Sequence, residues 1–519
     1  MQSKMFTFIR STLLILLLIT ITGQVFPVLA QPDTKSIDSY ISKARKDWDI
    51  PGMAVAVVKN DEIILAKGYG KLQIDQNRSV DANTMFAIAS NTKAFVSASL
   101  AILVDEKKIS WDDKVIDHLP NFRLYDSYAT QNATIRDLLC HRIGLGTYSG
   151  DVIWYKSELT SKELLDKIGH VPPAYSFRSG YGYSNLMFIT AGELIQSVTG
   201  QSWDIFLREK ILDPLQMNRT VTSIEKLNEL DNIATPHKPI YGNDQPIAYT
   251  NWDIMGAAGG ILSNVNDMAR WMILHLNEGM NQGETIFTRD VQIDMWTPHN
   301  NYRLDQNSRD FIPSRHFSGY GLGWGLSDYK GRMMVTHGGG YDGMYSKVTM
   351  IPDENIGIVV LTNSMKGVST PLTLWIIDAM LGQTDRDWSM EYREITKKDE
   401  AYKKQRVQKR KDARISGTTP SVDLSLFVGR YFDPMYGFAI VILKDGQLNL
   451  NFPTAPLLNA KLTHWHYNTY QIIWDNTHAW FDFGTVQFSM DNNNQVTGLM
   501  FDVPNDDIFF HELNMKKMD

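Results

Sequence analysis

The chain has one cysteine in 519 residues, Cys140, so no disulfide can form within it. Whatever holds this protein together must be its packed interior, which a chain of this size can supply. It also lacks a basic excess: 51 Lys and Arg face 58 Asp and Glu, for a net charge of -7. A general nucleic-acid binder needs a basic face to displace counterions from phosphates, so that class is excluded. Internal repeats and low-complexity tracts are missing too, which removes solenoids and fibrous arrays. The apolar run Leu13–Ile21 falls short of the roughly 20 residues that span a bilayer.

That short run has a different use. Lys4 and Arg10 precede it, and Val28-Leu29-Ala30 follows as a small-residue cleavage site before Gln31. Residues 1–30 therefore read as a signal peptide, and the mature protein is expected to be exported to a periplasm or medium without a stable membrane span. An uncleaved anchor is the weaker reading. No cysteine follows the apolar core, so lipid attachment there is excluded. Cys140 lies in TIRDLLCHRIGL, an apolar helical setting that predicts a buried structural thiol.

Composition (43% hydrophobic, 21% charged) is that of an ordinary globular protein, and the length predicts two domains. Ile37, Tyr40, Ile41, Ala44 and Trp48 recur at helical spacing, and Pro51-Gly52 breaks the helix. MAVAVVK and EIILAKGYG, separated by Asn60-Asp61, predict a β-hairpin. RMMVTH, SKVTMI and IGIVVLTN predict further strands much later, and PLTLWIIDAML a helix after them. Strands at both ends with helical material between predict one antiparallel sheet built from distant segments. Ten Lys/Arg and five Asp/Glu between Glu391 and Arg414 read as a solvated helix or linker. Beyond Pro420, FVGRYF, FAIVILK, QLNLNF, YQIIW, AWFDFG and VQFSMD predict a separate all-β sandwich or small barrel.

Three Ser-x-x-Lys matches occur, at Ser90/Lys93, Ser223/Lys226 and Ser327/Lys330. Only Ser90 opens a long helix, with Ala94, Phe95, Ala98, Ala101, Ile102 and Leu103 placed to bury around it. Residues i and i+3 share a helix face, so the Lys93 amine reaches the Ser90 hydroxyl. Burial near the positive end of a helix disfavours the ammonium twice, which makes Lys93 a base near neutral pH. The competing reading is an ordinary helix cap. Tyr183 and Asn185 form Tyr-x-Asn at the start of a second helix, a pattern repeated at Tyr241 and Tyr249. In MMVTHGGGYDG a strand runs into His337-Gly338-Gly339-Gly340, where glycines would let a substrate lie along the strand edge.

Taken together these segments resemble the serine hydrolases of the class C β-lactamase and D-alanyl-D-alanine peptidase group. Ser-x-x-Lys, Tyr-x-Asn and a third motif follow in the family's order, at intervals of 93 and 154 residues. DIPGMAVAVVKNDEIILAKGYG, TMFAIASNTKAF, YGYSNLMFITAGELIQSVTG and GAAGGILSNVNDMARW carry the likeness over roughly residues 35–382. The resemblance leaves Ser223, Ser327, Tyr241 and Tyr249 as chance matches. It implies an α/β (α+β) fold: an antiparallel sheet flanked by helices, plus a helical region, then a smaller all-β domain resembling the lipocalin-like one that closes many relatives. The expected boundaries are 31–385 for the hydrolase domain, 386–419 for the charged helix or linker and 420–519 for the β domain.

For the site it implies Ser90 as nucleophile, Lys93 and Tyr183 as the proton-transfer groups, and the amides of Ser90 and Gly340 as oxyanion hole. Asn185, His337, Gly339 and Gly340 would bind substrate, with Asn185 holding an amide. One departure stands out: the β-lactamases usually carry Lys-Thr-Gly as the third motif, where this chain has His337-Gly338-Gly339. A neutral imidazole supplies a hydrogen bond but little charge. The expectation is an acyl-enzyme hydrolase of D-amino-acid peptides, esters or β-lactams, taking a small molecule or short peptide and needing no cofactor. The alternative is a non-catalytic sensor or binder of cell-wall peptides. His464 and His466 could share a strand face, but no further metal ligands lie nearby, so no metal site is expected.

Overall fold

The computed structural model describes residues 34–240 and 243–518. The expected signal peptide and the Tyr-x-Asn match at Tyr241 lie outside the described residues. The main sheet comprises β1 (Gly52–Lys59), β2 (Glu62–Gly70), β3 (Asn300–Asn301), β4 (Ser318–Tyr320), β5 (Gly325–Tyr329), β6 (Arg332–Tyr341), β7 (Met344–Ile351) and β8 (Ile356–Thr362). All neighbours are antiparallel, in the order β2-β1-β8-β7-β6-β5-β4-β3. The β1–β2 turn works because Asn60 and Asp61 both take positive φ, 49° and 66°, as a tight hairpin requires. The helices that matter here are α1 (Thr34–Asp47), α2 (Thr92–Asp105), α3 (Asn185–Thr199), α4 (Val265–Leu276), α5 (Ser369–Met380) and α6 (Trp388–Asp412).

Strand β1 shows why the sheet sits between helical layers. Ala54, Ala56 and Val58 enter the large core with α2, α3 and α4, while Met53, Val55 and Val57 enter a second core with α1 and α5. A strand buried on both faces needs no polar alternation, and MAVAVV has none. The helical region between β2 and β3 covers one face and carries the site.

The C-terminal strands close into an eight-stranded barrel running from Gly429–Asp433 to Met515–Met518. Five of the six β-rich segments contribute strands. AWFDFG does not: residues 475–484 form a loop whose Phe481 and Phe483 are buried. Phe481 packs on Tyr155, from the helical region before β3, and on His478, Trp474 and Phe510. Aromatic burial against a second domain imitates the two-residue period of a strand.

The charged segment is a 25-residue helix, α6, exposed along most of its length. It is tied to the barrel by Arg410–Asp502 and Arg406–Asp506 ion pairs. Among the described residues no helix is long and apolar enough to cross a membrane.

Candidate active site

Ser90 sits in a single helical turn, Ala89–Asn91, that leads into α2. The residue before it, Ala89, is held at φ 46°, a left-handed conformation that a side chain takes only at a cost. Helix α2 explains how the turn is fixed: Thr92 through Leu103 are all buried, so it is packed from every side. Strand β6 presses on the turn. A Cβ at Gly339 would stand 2.2 Å from the Ile88 carbonyl oxygen, so only glycine fits there. Ser346 on β7 completes the brace, donating from Oγ to Ile88 O (2.7 Å) and accepting from Asn91 Nδ2 (2.8 Å).

Lys93 is 0% exposed. Its Nζ lies 3.1 Å from Ser90 Oγ, 2.7 Å from Asn185 Oδ1 and 2.8 Å from the Ala258 carbonyl oxygen. Burial brings the amine down to about 7, partly offset by Asp151. The Asn185 amide nitrogen in turn donates to Asp151 Oδ2 at 2.6 Å. Asp151 is buried, and that burial raises its carboxyl to about 8. Asn185 lines the pocket, but its first task is to join Lys93 to Asp151. Asp151 is a site residue the motifs did not reveal. A polar residue ahead of the apolar VIWY was the only signal.

Tyr183 lines the pocket with Ser90, and its ring centroid lies 4.8 Å from Lys93 Nζ. Burial pushes its hydroxyl well above the ordinary value, so it stays protonated. The ring rests on His141 at 4.3 Å. His141 Nδ1 accepts the Ser184 N–H at 3.1 Å, which fixes the backbone beside Tyr183. His141 adjoins Cys140, which is buried as expected.

His337 stands in the pocket wall with both ring nitrogens occupied. Nδ1 donates to the Gly338 carbonyl (2.6 Å), so Nε2 accepts from the Tyr320 hydroxyl (2.7 Å). Burial and the nearby Lys93 hold the imidazole down at about 3, hence neutral. Strand β5 pairs with β6 only as far as Thr336. From His337 to Tyr341, β6 keeps β7 on one edge and, among the described residues, no strand on the other.

Ser90, Tyr183, Asn185, His337, Gly339 and Gly340 all line one pocket of about 560 Å³. The barrel reaches into it. Trp480, Asp507 and Ile508 form part of the wall, and Trp480 lies over Gly340, where a Cβ would meet its ring at 3.3 Å. Trp480 Nε1 donates to Asp342 (2.8 Å), and Glu512 accepts from Ser149 Oγ (2.6 Å) and Gly150 N (2.8 Å), next to Asp151. No motif announces these residues.

The duplicate motifs lie apart. Ser223 bonds to Asp253, while Lys330 pairs with Asp378 rather than with Ser327. The Tyr249 hydroxyl donates to the Ala234 carbonyl. His464 and His466 are each engaged by main-chain groups.

Comparison with known proteins agrees with this geometry. The sequence profile of the beta-lactamase family matches residues 37–379, and that of a domain family of unknown function, DUF3471, matches 413–517. An unguisins hydrolase, ungD', of Aspergillus campestris is 30% identical over 429 residues, covering 78% of this chain and 76% of that protein. An octameric penicillin-binding protein homologue from Pyrococcus abyssi superposes with a TM-score of 0.60 at 19% identity, over 93% of this chain and all of that one. A D-stereospecific amidohydrolase from Streptomyces does so with a TM-score of 0.54 at 21% identity, over 67% and 98%. These two show the fold. With the family profile spanning the whole catalytic domain and its three motifs meeting in one pocket, the chain belongs to the beta-lactamase family, as a serine hydrolase.

Proposed function

We propose that this protein is an exported hydrolase that cleaves amide or ester bonds of small molecules or short peptides through an acyl-enzyme on Ser90. The observation that carries the reading is the bonding of Lys93. Two of its three close partners, Asn185 Oδ1 and Ala258 O, can only accept. A neutral amine has two N–H groups, and these two carbonyls consume both. The lone pair is left facing Ser90 Oγ, and with the amine at about 7 the neutral form is available at physiological pH. Lys93 then takes the Ser90 proton as Oγ attacks the carbonyl. Tyr183, protonated at rest, gives its proton to the leaving group and is reprotonated by the Lys93 ammonium, so that the proton taken from Ser90 is the one delivered. The amides of Ser90 and Gly340 would hold the oxyanion, and the free edge of β6 would align the substrate as an added strand.

The names of the relatives, an unguisins hydrolase and a D-stereospecific amidohydrolase, support amides, D-amino-acid peptides among them, as the first substrates to test. Export rests on the composition of residues 1–30, and the lipocalin-like character of the barrel on its eight closed strands. The test is a panel of D-aminoacyl amides, uncharged esters and a cephalosporin, with intact-mass trapping of the acyl-enzyme and labelling by a serine-directed phosphonate. Ser90→Ala should lose turnover and label together, and Ser223→Ala should lose neither. Normal labelling of Ser90→Ala would overturn the assignment.

A further inference from the structure

Behind the catalytic pocket lies a second cavity of about 230 Å³, and Tyr302, Gly325, Thr336, Lys347 and Thr370 line both. Two cations face it. Lys347 stands on β7 directly opposite Gly338 of the third motif, and among the described residues its side-chain amine has no hydrogen-bond or ion-pair partner. Arg315 lines the far side, makes no ion pair among the described residues, and its buried Nε has no hydrogen-bond partner. No aspartate or glutamate lines this cavity, whereas hydroxyls do, those of Ser327 and Thr370 among them.

Lys238, 5% exposed and so more enclosed than the partly buried Lys347, is matched by Asp482 and by the carbonyls of His478 and Phe481. Lys347 instead has a second positive charge as its neighbour, and burial together with Arg315 lowers its amine to about 8. At neutral pH it is still mostly protonated. Two like charges in a small cavity are destabilising unless something negative completes the group.

We propose that Lys347 and Arg315 form an anion subsite opening from the catalytic pocket, which binds a carboxylate carried by the substrate. The proposal rests on reading that pocket as the acyl-transfer site and narrows its substrates to anionic ones. It also gives the neutral His337 a context. The positive charge missing from the third motif is supplied one strand over, deeper in the cavity, so the carboxylate must sit on a longer arm than a charge at His337 would require.

The test uses two matched substrate pairs, one with a terminal carboxylate or its methyl ester on the acyl half, the other on the leaving half. kcat/KM is measured for wild type, Lys347→Met, Lys347→Arg and the Lys347→Met/Arg315→Gln double variant. In at least one pair the charged-to-neutral ratio should fall about tenfold or more in the double variant and be largely kept by Lys347→Arg. Unchanged ratios in both pairs overturn the subsite. So does an equal loss on charged and neutral substrates with a lowered Tm, the signature of a structural role. An uncharged fluorophosphonate separately reports whether Ser90 is a nucleophile. Should wild type fail to label, the hydrolase reading falls, and calorimetric binding of glutarate to wild type and double variant then decides the subsite. Binding lost in the variant supports it, and no binding, or equal binding, overturns it.

Discussion

On the floor of the catalytic pocket, Lys93, Asn185 and Asp151 are 0%, 6% and 2% exposed and hang from helix ends and a buried turn. The rim is different. Trp480, Asp507 and Glu512 belong to another domain and are partly open to water; Trp480 is held by one polar contact, to Asp342, and Glu512 by two, from Ser149 and Gly150. The floor is where a proton must change hands, so its groups are desolvated until their acidities nearly meet: Lys93 at about 7, Asp151 at about 8. The rim meets the rest of the substrate, where shape and charge matter more than proton affinity. Floor substitutions should therefore act on the chemical step and rim substitutions on binding.

The largest effects belong to the floor. Lys93→Ala and Tyr183→Phe should each reduce kcat by about 10²- to 10⁴-fold. The double variant should lose little more than the worse single one, because one proton path fails either way. Losses that add in free energy would mean the two groups act separately. For the rim, Trp480→Ala should raise KM for bulky substrates about tenfold, as an aromatic wall is removed, with a much smaller change in kcat. A fall confined to kcat would move Trp480 from the rim to the chemistry.

A pH profile sharpens the comparison further. Lys93 must be neutral to accept a proton, so kcat/KM should rise as pH increases through about 7. The Asp151 carboxylate favours the ammonium form of Lys93. With its carboxyl at about 8, Asp151 is largely protonated where Lys93 titrates, so Asp151→Asn removes only a fraction of that charge, and the acidic limb should move to lower pH by no more than about a few tenths of a unit, alongside a few-fold loss in rate. A limb that moved upward would show that Asp151 does not oppose the desolvation of Lys93.

The same division explains what was legible in the sequence. Ser90 and Lys93 lie one helical turn apart, and Tyr183 and Asn185 flank a helix start, so local geometry carries most of the floor. Helix α1, the β1–β2 hairpin and strands β6 to β8 announce themselves by period and turn chemistry. Asp151 escaped because its partner Asn185 reaches it only through the fold, and Lys347 because its lack of a counter-charge among the described residues shows only once the chain is folded. Trp480 was misplaced outright: a loop burying Phe481 and Phe483 looks like a strand until the domain it packs against is known. The charged run of α6 read correctly as solvated, but its sequence gave no hint of the barrel aspartates it faces.

Those aspartates supply the smallest effect and the sharpest control. Arg410 meets Asp502 through two hydrogen bonds, Nε to Oδ2 at 2.7 Å and Nη2 to Oδ1 at 3.0 Å. The geometry is good, but the side chains are 37% and 51% exposed, so water and salt screen the pair. A double-mutant cycle with Arg410→Ala and Asp502→Ala should give a coupling of about 0.2–1 kcal/mol that shrinks in high salt. The barrel is held instead by contacts with one enclosed partner: Lys238, its side chain 6% exposed, donates to the carbonyls of His478 and Phe481 as well as to the open Asp482, and Glu512 receives two hydrogen bonds beside the pocket. Breaking Arg410–Asp502 should therefore leave both KM and kcat unchanged, whereas Glu512→Ala, which frees the turn carrying Asp151, should raise KM. A KM shift from Arg410→Ala as large as that from Glu512→Ala would mean that α6 sets the position of the rim, and the division between anchoring and solvated contacts would have to be redrawn.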